Sequence, residues 1–326
     1  MIRFAKKNDI KNIMEFIDVY WKNNHILSRN KSFFEYEHVN GDDVTFVISE
    51  ENENIDAVLG FIPYAKSNRD VMTVIWKSKQ TKDPFLGVKL LKYLIDNGDI
   101  RTVSSPGINK KTMGIYKYLG YSVGKMKHWY RLNDKKKYTI AKIERKIISE
   151  LATEPQYFLE KFNDFSELEN NFDFELYSKS ETKPYKEKSY IKKRYFEHPI
   201  YRYNVYGIRN KDNLFKSIIV TRIQQCSNSK VLRLVDCIGD FNVFKNIVFG
   251  LDEIVKEFDC EYVDVYECGI PDSIFNESGW INVEECNNII PNYFNPYVCS
   301  NIDIYYFSTD KDIVLFNGDG DQDRPS

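Results

Sequence analysis

Apolar and polar positions alternate along this chain in blocks whose period changes several times. Ile10, Ile13, Met14, Ile17 and Tyr20 recur at spacings of three and four behind Asp9, which predicts an amphipathic helix with an acidic cap. The polar, aromatic segment 21–38 predicts a second helix. Residues 44–49, 55–64 and 71–78 are short β-branched and aromatic runs, the first two joined by a charged, Asn-containing turn and the second stopped by Pro63. They predict a three-stranded antiparallel meander. Leu86, Leu90, Leu91, Leu94 and Ile95 then fall on one helical face within 85–97. A strand at 101–105, a helix over 109–121 and a strand at 125–132 complete the unit.

The period is lost over 134–180. Residues 133–150 are charged and are expected to be part linker and part helix, and 162–174 has no regular pattern. From 185 the order restarts. A helix at 190–199 stops at Pro199, and strands at 203–210 and 215–224 flank a turn. A strand at 231–239, a helix at 244–258, a strand at 262–268, a short helix at 272–280 and a strand at 302–308 follow. Helix, three strands, helix, strand, helix, strand thus occurs twice. This order predicts an α/β (α+β) protein of two similar tandem domains, each a mixed, mostly antiparallel sheet flanked by helices. Their limits are 1–133 and 181–316, with a connection over 134–180. The ending 317–326, NGDGDQDRPS, cannot pack a core by itself and is expected to be a solvated tail.

Composition narrows the function. Hydrophobic residues make up 42% and charged residues 29% of the 326 residues, so large cores are affordable. Aromatic residues are 15%, enough to line a site for a sugar or a base besides filling the interior. The net charge of -2 and the pI near 6.2 argue against nucleic acid held by a basic field. No apolar run reaches bilayer length and the first residues lack an apolar signal core, so a cytoplasmic protein with no membrane partner is expected. The six Cys all lie in the second half with no C-x-x-C spacing, so free thiols and no metal are expected.

Two junctions carry candidate chemistry. In 80–91 a strand ends, Pro84 and Gly87 punctuate a loop, and a helix begins. Unpaired N–H groups there can cradle a pyrophosphate, and Gly87 would admit it closely. In 109–121 Asn109 follows a strand end, Tyr116 lies about two helical turns on, and Gly120 ends the helix.

The stretch NKKTMGIYKYLGY (109–121) resembles the C-terminal motif of the GNAT superfamily of N-acyltransferases. That motif runs Asn, two residues, a small residue, three residues, Tyr, three residues, Gly and an aromatic. Asn109, Thr112, Tyr116, Gly120 and Tyr121 occupy those places. The resemblance implies acetyl-CoA or another acyl-CoA as co-substrate, with Tyr116 as the acid that protonates the leaving thiolate. It implies coenzyme contacts at Asn109 and Thr112 and at Lys82, Phe85, Leu86, Gly87 and Val88. The superfamily's phosphate loop is degenerate here, since Lys82 and Phe85 replace its first two defining positions. Backbone N–H groups around Ile75, Trp76 and Lys77 would polarise the thioester. The family admits its acceptor between the first two helices, which brings in Trp21 and Arg29, and His25 as base. Glu35, Glu37 or a relayed water are the alternatives.

In the second unit Phe275 stands where the acid Tyr would be, so that copy is expected to lack acyl-transfer chemistry. Asp236 and Asp240 at a strand end, and Asp319, Asp321, Asp323 and Arg324 in the ending, are candidates to grip sugar hydroxyls or an ammonium. The stretches LGFIPY (59–64) and RLVDCIGD (233–240) and the ending also resemble acyltransferase-like proteins of bacterial surface-polysaccharide gene clusters. This likeness implies an amino-sugar acceptor, nucleotide-linked. The alternatives are a non-catalytic carbohydrate- or partner-binding module and a Fem-type aminoacyl transferase.

Overall fold

The computed structural model describes residues 1–52, 54–66, 69–80, 83–149 and 156–326. Its strands begin with β1 (Ile2–Lys6), β2 (Val39–Asn40), β3 (Asp43–Glu51), β4 (Asn54–Pro63), β5 (Asp70–Ser78) and β6 (Thr102–Ile108). Next come β7 (Ser122–Lys125), β8 (Lys127–Leu132), β9 (Tyr157–Phe162), β10 (Asn204–Asn210), β11 (Phe215–Cys226) and β12 (Ser229–Gly239). The last are β13 (Tyr262–Cys268), β14 (Ile281–Asn282), β15 (Tyr293–Phe294), β16 (Tyr297–Val298), β17 (Tyr305–Ser308) and β18 (Leu315–Phe316). The first five helices are α1 (Ile10–Phe16), α2 (Ile26–Arg29), α3 (Lys31–His38), α4 (Leu86–Asn97) and α5 (Met113–Tyr118). The other five are α6 (Phe165–Asn171), α7 (Phe174–Ser178), α8 (Lys188–Ile191), α9 (Val248–Glu257) and α10 (Asp272–Asn276).

Among the described residues these strands build two large mixed sheets, in the orders β1-β3-β4-β5-β6-β17-β7 and β14-β8-β13-β12-β11-β10-β9. Strands β2 and β18 pair at the sides of β3 and β13. The meander and the helices that follow it appear where the pattern placed them. Two strands do not stay with their units. Lys127–Leu132, expected to close the first unit, pairs with β13 and β14 in the second sheet. Tyr305–Ser308, expected late in the second unit, pairs with β6 and β7 in the first. The crossing is pinned at Met126, whose N–H donates to the Ile304 carbonyl at 2.8 Å. The halves are therefore interlocked by exchanged strands.

Each face of the first sheet has its own core because side chains alternate along a strand. Phe46, Ile48, Val58 and Ile75 pack against α1 and α3, whereas Val47, Leu59, Val71, Val103 and Phe307 pack against α4 and Tyr116. Both faces are covered, so the strands read as nearly continuous apolar runs. The second sheet packs α9 and α10 on one face. Its other face shares a core with Ile62, Tyr64 and Met72 of the first half.

Two further expectations change. Residues 133–149 contain no helix; Glu261, 1% exposed, accepts the N–H groups of Thr139, Ile140 and Ala141 and holds that run in a bend. The expected connection also supplies β9, which pairs with β10. The ending is not solvated. Asn317, Asp319 and Asp323 are buried, in two short 3-10 turns, Asn317–Asp319 and Asp321–Asp323.

The feature that positions the site is a bulge in β5. Leu59 pairs with Trp76 and Phe61 with Thr73, so Gly60 faces both Val74 and Ile75. A β-carbon at Gly60 would lie 2.9 Å from Phe46 Cζ and from Val74 Cγ2. Gly60→Ala is expected to cost about 1–3 kcal/mol through overpacking, seen as a lower urea midpoint at unchanged m-value.

Candidate functional site: a split between two strands

Strands β5 and β6 are parallel neighbours only over Asp70–Met72 and Thr102–Ser104. Beyond that point β5 bulges, and the Thr73 carbonyl is taken by the Ser105 hydroxyl at 2.8 Å rather than by a backbone N–H of β6. A bulge bends its strand and ends pairing, so a split opens between Ile75–Lys77 and the end of β6. The split joins two different environments.

On the α4–α5 side stand Trp76 and Tyr116, with ring centroids 5.6 Å apart. Tyr116 stacks on Phe307 of the exchanged strand β17 at 3.9 Å. Its hydroxyl has no hydrogen-bond partner among the described residues, and burial pushes its pKa well up, so the phenol keeps its proton. Asn109 caps the turn before α5: its side-chain oxygen accepts the Lys111 N–H at 2.9 Å, and its carbonyl accepts the Thr112 hydroxyl at 2.7 Å. Gly120, at φ 81°, is the left-handed residue that ends α5.

The start of α4 differs from the expectation in one respect. Gly87 makes room for a side chain of this protein: a β-carbon there would lie 3.0 Å from Trp76 Nε1, and that N–H donates to the Gly87 carbonyl at 3.0 Å. The Asp83 carboxylate accepts the Phe85 N–H at 3.0 Å and pairs with Lys89 at 2.6 Å. A carboxylate thus occupies the helix start where an anion was expected. Leu86 is buried, Val88 is half-buried, Phe85 is 65% exposed, and Lys82 lies outside the described residues.

On the other side of the split is a cavity of about 870 Å³. The first half contributes Trp21, Lys22, His25, Arg29, Glu37, Val74, Ile75 and Gly107 to its wall. The second half contributes Tyr201, Arg202, Arg222, Arg233 and Phe294, and the ending contributes Asp321, Gln322 and Arg324. The ending is threaded against β6, where a β-carbon at Gly107 would collide with Gln322.

The sequence-derived candidates fall into distinct places. His25 caps α2: its Nδ1 accepts the Leu27 N–H at 3.3 Å, which leaves the proton of the neutral ring on Nε2. Its imidazole is pushed down to about 4, chiefly by burial and then by Lys22 and Arg29. Trp21 packs edge-on to it at 4.8 Å. Glu37 is paired with Arg324, and Glu35 sits outside the cavity beside Lys31. Asp236 is fully buried on Lys186 and the Tyr195 hydroxyl, and Asp240 caps the turn before α9; neither lines the cavity. Asp319 also pairs with Lys186. Asp323 has no exposed surface and is held by Arg194, Arg222 and Tyr203.

Among the described residues, Asp321 alone of the three Asp in the ending has a side chain with no hydrogen-bond or ion-pair partner; its backbone carbonyl accepts the Arg324 N–H at 3.1 Å. Asp321 is exposed to water at the cavity wall. Desolvation by the surrounding cavity walls pushes its carboxyl up to about 6, against the pull of Arg324 and Lys22 and with the push of Glu37.

Sequence reading missed Lys22, Arg202, Arg222 and Arg233. The last two carried a signal. Each is a charged residue inside an apolar strand pattern, and they pair directly across β11 and β12. Like charges placed so repel, and each is answered by a buried carboxylate, Asp323 and Asp264.

No family model and no curated protein matches the chain. Solved structures do. A GCN5-related N-acetyltransferase from Anabaena variabilis superposes with a TM-score of 0.57 at 11% identity, over 94% of this chain and 72% of its own. A GCN5-related N-acetyltransferase from Kribbella flavida gives 0.54 at 8%, over 94% and 70%. A conserved protein of unknown function from Enterococcus faecalis, called a probable N-acyltransferase, gives 0.55 at 8%, over 94% and 72%. At these identities the likeness is one of fold, and it runs through both halves. Among the described residues no helix is long and apolar enough to cross a membrane.

Proposed function

We propose that the chain transfers an acyl group from acyl-CoA to an amine. The observation that carries this reading is the split itself, with a protonated, unpartnered Tyr116 on one side and a large polar cavity on the other. The thioester would lie across the split, its carbonyl oxygen facing backbone N–H groups of Ile75–Lys77. The amine in the cavity attacks the carbonyl carbon and gives its proton to a base. The C–S bond then breaks, and Tyr116 protonates the thiolate. For the base we favour Asp321 over His25, whose Nδ1 lone pair is occupied by the α2 cap. Asp83 at the start of α4 competes with the coenzyme's pyrophosphate, so the hold on coenzyme A would come more from the pantetheine arm and the acyl end.

The acceptor we take to be an amino sugar, nucleotide-linked, of the kind used in surface-polysaccharide synthesis. The aromatic side chain of Trp21 and the polar cavity wall, where Arg222 and Arg233 stack on Tyr201 and Phe294, support this choice. The exposed Phe85 and the self-capped phosphate loop favour the rival reading, a binding module without catalysis.

Calorimetry with acetyl-CoA and a thiol-release assay with a panel of amino sugars test the proposal. Tyr116→Phe is expected to lower kcat about 100-fold with little change in acetyl-CoA affinity. Unchanged turnover would remove Tyr116 from the acid role, and no acetyl-CoA binding at millimolar concentration would leave the binding module.

A further inference from the structure

The chain is slightly acidic as a whole, with net charge -2, but the cavity is not. Six basic side chains line it: Lys22, Arg29, Arg202, Arg222, Arg233 and Arg324. Three are neutralised in place, Arg222 by Asp323, Arg233 by Asp264 and Arg324 by Glu37. The other three, Lys22, Arg29 and Arg202, have no carboxylate partner among the described residues. They are exposed and come from both halves of the chain.

A scattered surface lysine or arginine is ordinarily a solvated charge. These three converge on one concavity, where low-dielectric walls focus their field. Among the described residues, the side-chain carboxylates on the same wall are Glu37, paired with Arg324, and Asp321, unpaired. Two guanidinium–aromatic stacks add planar surface: Arg222 lies 4.2 Å from the Tyr201 ring centroid and Arg233 5.2 Å from that of Phe294. A cavity of about 870 Å³ would leave a bare hexosamine surrounded by water.

We infer that Lys22, Arg29 and Arg202 hold a phosphate or diphosphate of the acceptor at the cavity wall, with the reacting amine beside Asp321. The acceptor is then a phosphate-bearing amine, ammonium and anion each meeting the opposite charge. This inference rests on reading the cavity as the acceptor side, and its test needs no acyl transfer. Coenzyme A also carries phosphates, but the coenzyme elements, Trp76, Tyr116 and the start of α4, lie on the opposite face of the first sheet.

The experiment is titration calorimetry with UDP and with inorganic pyrophosphate, without coenzyme A. It compares the wild-type chain with the triple variant Lys22→Ala, Arg29→Ala, Arg202→Ala. The three side chains make no ion pair among the described residues, so the variant is expected to fold, which its urea curve checks. One saturable site is expected in the wild type, weakened about tenfold or more in the variant and by added salt, as for any phosphate held by Lys and Arg. Acetyl-CoA is expected not to compete. Pyrophosphate binding as tightly as UDP supports a site that reads phosphate alone. Absence of binding of both probes to the wild type, equal binding to the variant, or displacement by acetyl-CoA each overturns the inference. UDP binding that the triple variant weakens, in a protein that never releases thiol from acetyl-CoA, would sink the transfer reading and leave the anion site standing.

Discussion

Replacing Asp323 with alanine is expected to lower the unfolding free energy by about 3–5 kcal/mol. The Asp323 carboxylate has no exposed surface. One oxygen accepts Arg222 Nε at 2.9 Å and Nη2 at 2.6 Å, and the other accepts the Tyr203 hydroxyl at 2.8 Å and Arg194 Nη2 at 3.1 Å. Arg194 is 3% and Arg222 9% exposed, so the variant buries two guanidinium groups without their anion. That loss exceeds the worth of the intact pair, because desolvation of the arginines is no longer offset. The pH dependence has a definite sign. Burial alone would raise this carboxyl, but Arg222 and Arg194 outweigh it and hold it below its ordinary value. A depressed acid stabilises the fold above its unfolded pKa and loses that contribution as pH falls through the folded value. Urea curves for wild type and variant are therefore expected to differ fully at neutral pH and to begin converging only as pH falls below about 4, toward the lower folded value. A difference under about 1 kcal/mol at pH 7, the range of exposed pairs, would mean that the ending is not anchored by this cluster.

The same residues mark where sequence reading stops. Asn109 and Gly120 could be assigned because a cap and a left-handed helix end are local jobs, decided by side chains within a few positions. The meander was legible for the same reason: the strands β3 to β5 are joined by short connections and pair with their chain neighbours. β8 and β17 were legible as strands but not as members of a sheet. Tyr130 and Phe307 can pack on either core, and the choice is made by the crossing at Met126, a contact with Ile304 far along the chain. The ending looked solvated because Gly and Asp cannot build a core. It is buried because Lys186, Arg194, Arg222 and Glu37 wait for it, the last 287 residues away. Gly87 shows the opposite hazard: a motif position was found, but its missing β-carbon admits Trp76.

Two residues from Asp323, the exchange Asp321→Asn is expected to do the reverse: leave stability intact and lower kcat about 10²–10⁴-fold, the usual contribution of a general base. The ending is fixed on either side of Asp321 by the Lys186–Asp319 pair and by the pairs of Asp323 and Arg324. The unpaired carboxylate is thus presented to the cavity on an anchored turn. Its neighbours Arg324 and Lys22 favour the ionised form, Glu37 opposes it, and desolvation by the cavity walls dominates, bringing the carboxyl to about 6. Below that pH the group is protonated and cannot take the amine's proton, so kcat/KM should rise with pH along a limb near 6 and then level off. His25, at about 4, would place its limb two units lower, and Tyr116 would lose its proton only far above neutrality. The profile therefore separates the two candidate bases before any variant is made. In Asp321→Asn the limb near 6 should vanish while acetyl-CoA affinity stays the same. Stability should not fall, since a carboxyl with a raised pKa is ionised at neutral pH at a cost to the folded state, and the amide carries no charge. A variant that keeps both rate and limb would hand the proton to a relayed water, and Asp321 would then serve to hold the acceptor's ammonium rather than to deprotonate it.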